Sequence, residues 1–212
     1  MAKSKLPVLA LQHPLILLPS SRITLPVSLN IGEAIHTLID ESDALPVIAA
    51  VPIINNSEPV LSEWGTAARV LRLVKPTSRN PRQPYLLSLH GLTRVHLISN
   101  LNATDFPVPT AAPISPPLDD LPLHDLEYPP TEQIPSQEAV DRFKHAGIKL
   151  LDRLARDSAQ HLRKESYLKI AGMLDDINNA RAPWMADVLV GAINGEHSDK
   201  LGSSPNFHTV TI

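Results

Sequence analysis

Proline placement constrains this chain more than any other feature of its sequence. Of 212 residues, 21 are proline and only 8 glycine, and nine of the prolines fall between Pro107 and Pro135. Proline has no backbone donor and restricts the residue before it, so neither a helix nor an inner strand is expected through that stretch. It reads as an extended, acidic, polyproline-like connector over 115–135 or as a loop insertion, and both place the same boundary. The charges divide at the same place. Residues 1–114 carry 9 Lys+Arg against 7 Asp+Glu, and residues 115–212 carry 10 against 15, so the two parts differ in sign, +2 and −5.

An apolar fraction of 43% with 19% charged residues is enough to build a core. The absence of cysteine excludes a disulfide scaffold, a cysteine-ligated zinc or iron–sulfur site and a thiol nucleophile. A net charge of −3 argues against nucleic-acid binding through a broad basic field, and two Trp, three Tyr and three Phe leave little for base stacking. Lys3 and Lys5 ahead of an apolar run imitate a secretory signal. Pro7, Gln12, His13 and Pro14 break that run, no cleavage site follows, and it is too short for a membrane span. The expectation is a soluble intracellular protein, with the sequons at Asn55 and Asn102 arising by chance.

The first half reads as strands. Short apolar runs at 6–11, 15–18 and 23–29 have the length of strands, the last demoted to an edge or bulge by Pro26. Residues 31–42 break the pattern, because Ile31, Ala34, Ile35, Leu38 and Ile39 fall at helical spacing. Strand character returns at 46–54, and 66–74 with 85–99 form a hairpin-like pair. A small, partly closed barrel follows. The second half is helical. Val140, Phe143, Gly147, Leu150, Leu151, Leu154 and Leu162 trace one stripe behind a Ser136 N-cap. Tyr167, Ile170, Ala171, Leu174 and Ile177 trace a second. A third helix begins at Pro183, carries Trp184, Val188, Leu189 and Ile193, and stops at Asn194-Gly195. The fold class is α+β with segregated halves.

Residues 6–28 (LPVLALQHPLILLPSSRITLPVS), 64–74 (WGTAARVLRLV) and 88–99 (SLHGLTRVHLIS) resemble, in order, the N-terminal domain of ATP-dependent Lon proteases. The matching positions are Leu6, Pro7 and Leu11 of the opening strand, Pro19, Pro26, the Gly65, Ala68 and Arg69 group, and Gly91 with Arg94. LILLPSSR and the proline-rich details look most like the peroxisomal, fungal branch of that family. The resemblance implies a PUA-like barrel over 1–114, a linker over 115–135, a helical subdomain over 136–201 and a divergent tail over 202–212. It also implies a non-catalytic part that helps to select unfolded or damaged polypeptides for protein quality control and to support an assembly of Lon subunits. A Walker A pattern is absent, since no Gly precedes a Lys, and no Ser–Lys protease dyad has a counterpart. ATP and magnesium would therefore belong to other domains of such a protease, and no cofactor is expected in this chain. The location implied is the peroxisomal matrix, with the cytoplasm as alternative, because Val-Thr-Ile at the carboxyl end is not a peroxisomal address.

The individual residues read mainly as structural. Gly65 and Gly91 suit a backbone turn or bulge, and Arg94 suits a brace. Trp64 suits core or barrel rim, and is the one residue offered as a substrate contact. Trp184 suits the helical core. His90 and His96 share parity, but without a His-x-His or HExxH pattern no metal site is expected. Asp119-Asp120 and Asp175-Asp176 read as solvated surface rather than catalytic pairs. The alternatives are an RNA-binding PUA-like module, resting on Arg69, Arg72, Lys75, Arg79, Arg82 and Arg94, and a free-standing adaptor with a Lon-type domain. The absence of cysteine removes an adaptor with a following cysteine-bound zinc domain.

Overall fold

A computed structural model describes residues 3–54, 60–75, 85–98, 121, 123–129 and 134–193. They belong to two compact units, one within Met1–Pro130 and one within Thr131–Gly195. The fold is mixed, with a sheet in the first unit and helices in the second. No helix among the described residues is long and apolar enough to cross a membrane.

The first unit contains β1 (Lys3–Leu11), β2 (Arg22–Val27), α1 (Leu29–Asp40), β3 (Val47–Pro52), β4 (Trp64–Val74), β5 (Tyr85–Leu97) and β6 (Leu123–Glu127). The strand order is β2-β5-β4-β3-β1-β6, and β6 also pairs with β5, so five of the strands close into a barrel with β2 outside it. Among the described strands, only β1 and β3 run parallel. The apolar runs in β1 and β3 are continuous because both of their faces are covered. Val8, Ala10, Ala49, Val51, Ala67, Val95, Leu97 and Leu126 fill the barrel. Leu9, Leu11, Ile48, Ala50, Ala68, Val70, Leu87 and Leu89 face outward into a second core under α1 and β2. Small residues dominate the inner set, as a narrow barrel requires.

Three sequence expectations change here. The stretch read as a connector throughout contributes β6, paired to β1 over Lys3–Pro7 and to β5 at His96 and Leu97. The reason is local, since Leu123–Tyr128 form a proline-free window between Pro122 and Pro129, long enough for a short strand. Leu121 is buried in the outer core, so it too belongs with the first unit. Residues 15–18 are not a strand. They lie in a loop with a cis His13–Pro14 peptide and a left-handed Ser20 (φ 64°), and they deliver Leu17 and Leu18 into buried positions. The helix expected at 31–42 starts two residues earlier, capped by the Ser28 hydroxyl on the Ile31 N–H.

Pro26 sits on an edge strand. The bond from the Gly91 N–H to the Ser21 carbonyl sets the phase of the β2–β5 ladder. With that phase the Pro26–Leu86 pair falls at a position where the Pro26 nitrogen faces away from β5, so the proline costs no ladder bond.

The second unit holds α2 (Gln137–Asp157), α3 (His161–Asp175) and α4 (Ala182–Ala192), the last preceded by a 3-10 turn at Asn179–Arg181. Ser136 caps α2 through the Ala139 N–H, and Pro183 lies in the first turn of α4. The common core is Leu151, Ala155, Tyr167, Ala171, Leu174, Ile177, Met185 and Leu189. Gly147 lets Leu174 approach α2, since a Cβ there would lie 2.5 Å from Leu174 Cδ2. The expected stripe is corrected at two positions. Leu150 is exposed, and Leu162, 79% exposed, lies on α3 because α2 ends before it. Trp184 is 38% exposed while its neighbour Met185 is buried, so the methionine fills the place proposed for the tryptophan. The Asn194-Gly195 stop and the 202–212 tail lie outside the described residues.

Leu174→Ala should cost about 3 kcal/mol, the range for emptying a fully buried leucine site, read as a lower midpoint in thermal or urea unfolding followed by far-UV circular dichroism.

Candidate functional site

The loop at Gln12–Ser21 and the middle of β5 form a densely bonded polar region of the first unit. Ser20 N–H donates to the Gly91 carbonyl and Gly91 N–H to the Ser21 carbonyl, each at 2.9 Å. Ser21 folds back on Leu18, its hydroxyl donating to the Leu18 carbonyl at 2.6 Å and accepting from the Leu18 N–H at 3.0 Å. The buried Thr66 hydroxyl donates to the Leu17 carbonyl at 2.7 Å. A Cβ on residue 91 would stand 2.2 Å from the Leu18 carbonyl oxygen. Gly91 thus does not sit in a turn between strands. It is a seat for the loop, next to an irregularity that leaves Leu92 between the Ala68–Gly91 and Ala67–Thr93 pairs. Gly65 is similarly crowded, its absent Cβ falling 2.9 Å from the Ala50 carbonyl oxygen.

The motif positions surround this seat and the barrel wall. Leu6 packs against the inner core and Leu11 lies in the outer one. Pro7 is buried at the last β1–β6 pair, beyond which the partner of β1 is β3. Pro19 is buried in the loop, and Pro26 lies on the β2 edge. Ala68 is core, between Ile48 and Gly91, while Arg69 is exposed between Val47 and His90. Arg94 is half-buried opposite Thr66.

Trp64 stands apart from that seat. It is half-buried at the start of β4, opposite His96, with ring centroids 4.9 Å apart and planes tilted by 52°. His96 pairs with Glu127 and Glu127 with Lys3, whose ammonium is 3.6 Å from the carboxylate. Four strands therefore align Trp64, His96, Glu127 and Lys3 in one cross-strand row. His90, grouped with His96 by parity, instead meets the Ser21 carbonyl at 3.2 Å. Among the described residues no group of three or more His, Asp or Glu is placed to hold a metal ion. Asp119-Asp120 lie outside the described residues, and Asp175-Asp176 close the exposed end of α3.

A second polar cluster carried no sequence signal. Tyr85, the largest fully buried side chain, donates its hydroxyl to the Glu33 carboxylate, which also takes the Lys75 ammonium at 3.3 Å. The ammonium lies 5.8 Å from the Tyr85 ring centre. The Tyr85 bond, followed by the charge and bond of Lys75, holds the Glu33 carboxyl below its ordinary range, and burial pushes the Tyr85 phenol up. Gly32 allows the ring to pass under α1, since a Cβ there would meet it at 2.4 Å. Residues 52 positions apart meet here, so no local spacing could reveal them. Beside this cluster, α1 and β4 enclose an open depression of about 250 Å³ lined by apolar side chains with His36, Asp40 and Arg72 at its rim.

No protein-family model matches the chain, and no curated protein matches it. Solved structures do. The N-terminal domain of the Mycobacterium avium complex Lon protease superimposes with a TM-score of 0.53 at 12% identity, over 94% of this chain and 95% of that one. A Lon N-terminal domain protein from Xanthomonas campestris gives 0.43 at 13%, over 86% and 96%. The chain has the fold of the mycobacterial Lon N-terminal domain, with the sheet first and the helices after it.

Two outcomes follow from these sites. Gly91→Ala should lower stability by about 2 kcal/mol, because the loop backbone must move off its seat, measured as a fall in denaturation midpoint. The Glu33 carboxyl has its pKa depressed by folding, so its contribution is present above the unfolded value of about 4.3 and is lost as pH falls through the lower folded one. Denaturant midpoints taken between neutral and strongly acid pH should therefore fall less steeply for Glu33→Gln than for the unchanged chain.

Proposed function

We propose that this chain is a non-catalytic recognition domain of the Lon type, which binds unfolded or damaged polypeptides and supports assembly with Lon subunits. The observation that carries the proposal is the end-to-end fold correspondence with a domain described as the N-terminal part of a Lon protease, covering nearly all of both chains. The surface suits the task. Leu45, Ile54, Val60, Leu86, Ile98 and Leu123 are large apolar side chains between 44% and 63% exposed on the first unit. Binding through such separated contacts is weak per chain and gains strength when several copies share one client.

In this proposal Trp64 is a rim contact for client rather than a core residue, and the other motif positions hold the scaffold. No cofactor acts in the chain, since ATP and magnesium belong to the ATPase of such a protease. The finer assignment to a peroxisomal, quality-control branch rests on the LILLPSSR stretch and the proline pattern. The RNA-binding alternative needs a clustered basic face. Arg79 and Arg82 lie outside the described residues, Lys75 is engaged by Glu33, and Arg94 is half-buried.

The full chain should retain reduced, carboxymethylated lactalbumin in preference to the native protein, without nucleotide, and Trp64→Ala should weaken that retention. Absence of binding to the denatured protein, or RNA affinity that falls steeply with salt in place of it, would sink the proposal.

A further inference from the structure

The outer edge of β4 is only partly used. β3 pairs with it over Thr66–Arg69, and a bond from the Val70 N–H to the Pro46 carbonyl ends that ladder. β4 nevertheless continues against β5 as far as Val74, past an irregularity that leaves Leu71 between the Val70–Leu89 and Arg72–Ser88 pairs. Among the described residues, Leu71–Val74 therefore have no strand on their other side. The open depression lies along this free edge, with Ile39 and Leu45 on one wall and Leu71 and Leu73 on the other. An exposed strand edge presents backbone donors and acceptors in a row, and an extended polypeptide is the occupant whose own backbone matches them. Alternate side chains of such a strand would then meet the apolar walls.

Charge narrows the occupant further. The last turn of α1 has no basic residue, and Asp40, Glu41 and Asp43 stand at or just beyond its carboxyl end, where the helix dipole is negative. His36, 2.9 Å from Asp40, is the one partner placed on that wall by the same helix. Arg72 also lines the depression, but the three carboxylates outnumber it, so the end of the groove is complementary to a cation. We infer that the groove between the C-terminal end of α1 and the free edge of β4 takes an extended segment of unfolded polypeptide in which an apolar residue neighbours a lysine or arginine, added as a strand beside Leu71–Val74. This site rests on the proposed function and gives it an address.

The test uses the full chain and a short fluorescein-labelled peptide of alternating Leu and Lys. Its controls are a twin N-methylated at alternate backbone nitrogens and a Leu/Glu counterpart. The Leu/Lys peptide should bind, and both controls should bind about tenfold more weakly, a change of 1.4 kcal/mol. Leu45→Ser and Asp40→Lys alter exposed positions, and each should weaken the Leu/Lys peptide about tenfold with circular dichroism and melting unchanged. Leu168→Lys, at an exposed position of α3, should leave the affinity as it was. If denatured lactalbumin is retained while N-methylation, Leu45→Ser and Asp40→Lys have no effect, the groove is not the site and the proposed function stands. If neither denatured protein nor peptide binds, both fail. Equal binding of the Leu/Lys and Leu/Glu peptides would remove the preference for a basic residue.

Discussion

The first unit depends on one strand serving two partners along a single edge. β5 has β4 on one side along most of its length, while its other side pairs with β2 from Tyr85 to His90 and with β6 at His96 and Leu97. The change of partner coincides with the irregularity at Leu92, which also reverses the faces. Leu87 and Leu89 point into the outer core, whereas Val95 and Leu97, of the same parity, point into the barrel. Without that reversal the same residues could not fill two cores, and β6 would find no matching surface to close against.

The loop seated on Gly91 occupies the stretch between the two partners. It covers backbone that neither β2 nor β6 reaches, and its bonds to Thr66 and Gly91 fix β4 and β5 together. On the opposite end of β4 the Tyr85–Glu33–Lys75 cluster fixes α1 to the same two strands. These contacts tie the walls on either side of the depression to one sheet. In the proposed groove, walls tied in this way need little ordering when an occupant enters, which is where much of the cost of association otherwise lies.

The fold was largely legible because both halves carry strong patterns. Apolar runs without alternation, such as PVLAL and VIAAV, describe strands covered on both faces, and the helical stripes of α2 and α3 announce one buried side each. The errors have physical causes. Nine prolines concealed β6, because their density outweighed a six-residue gap between two of them. Residues 15–18 have strand composition, yet their backbone bonds go to Gln12, Ser21 and the Thr66 hydroxyl rather than to a ladder. Trp184 was misjudged because a tryptophan on an apolar helix promises more burial than Met185, which took the core position. The candidate groove was not legible at all. It arises where β3 ends its ladder before β4 does, a relation between strands that neither strand encodes alone.

The place of β6 has a consequence for how the protein comes into being. β1 is the first strand made, and its partner along Lys3–Pro7 follows more than a hundred residues later. During synthesis the barrel therefore cannot close over its inner alanines and valines until Glu127 has cleared the ribosome. The last and shortest strand of the sheet thus decides when the inner alanines and valines leave water.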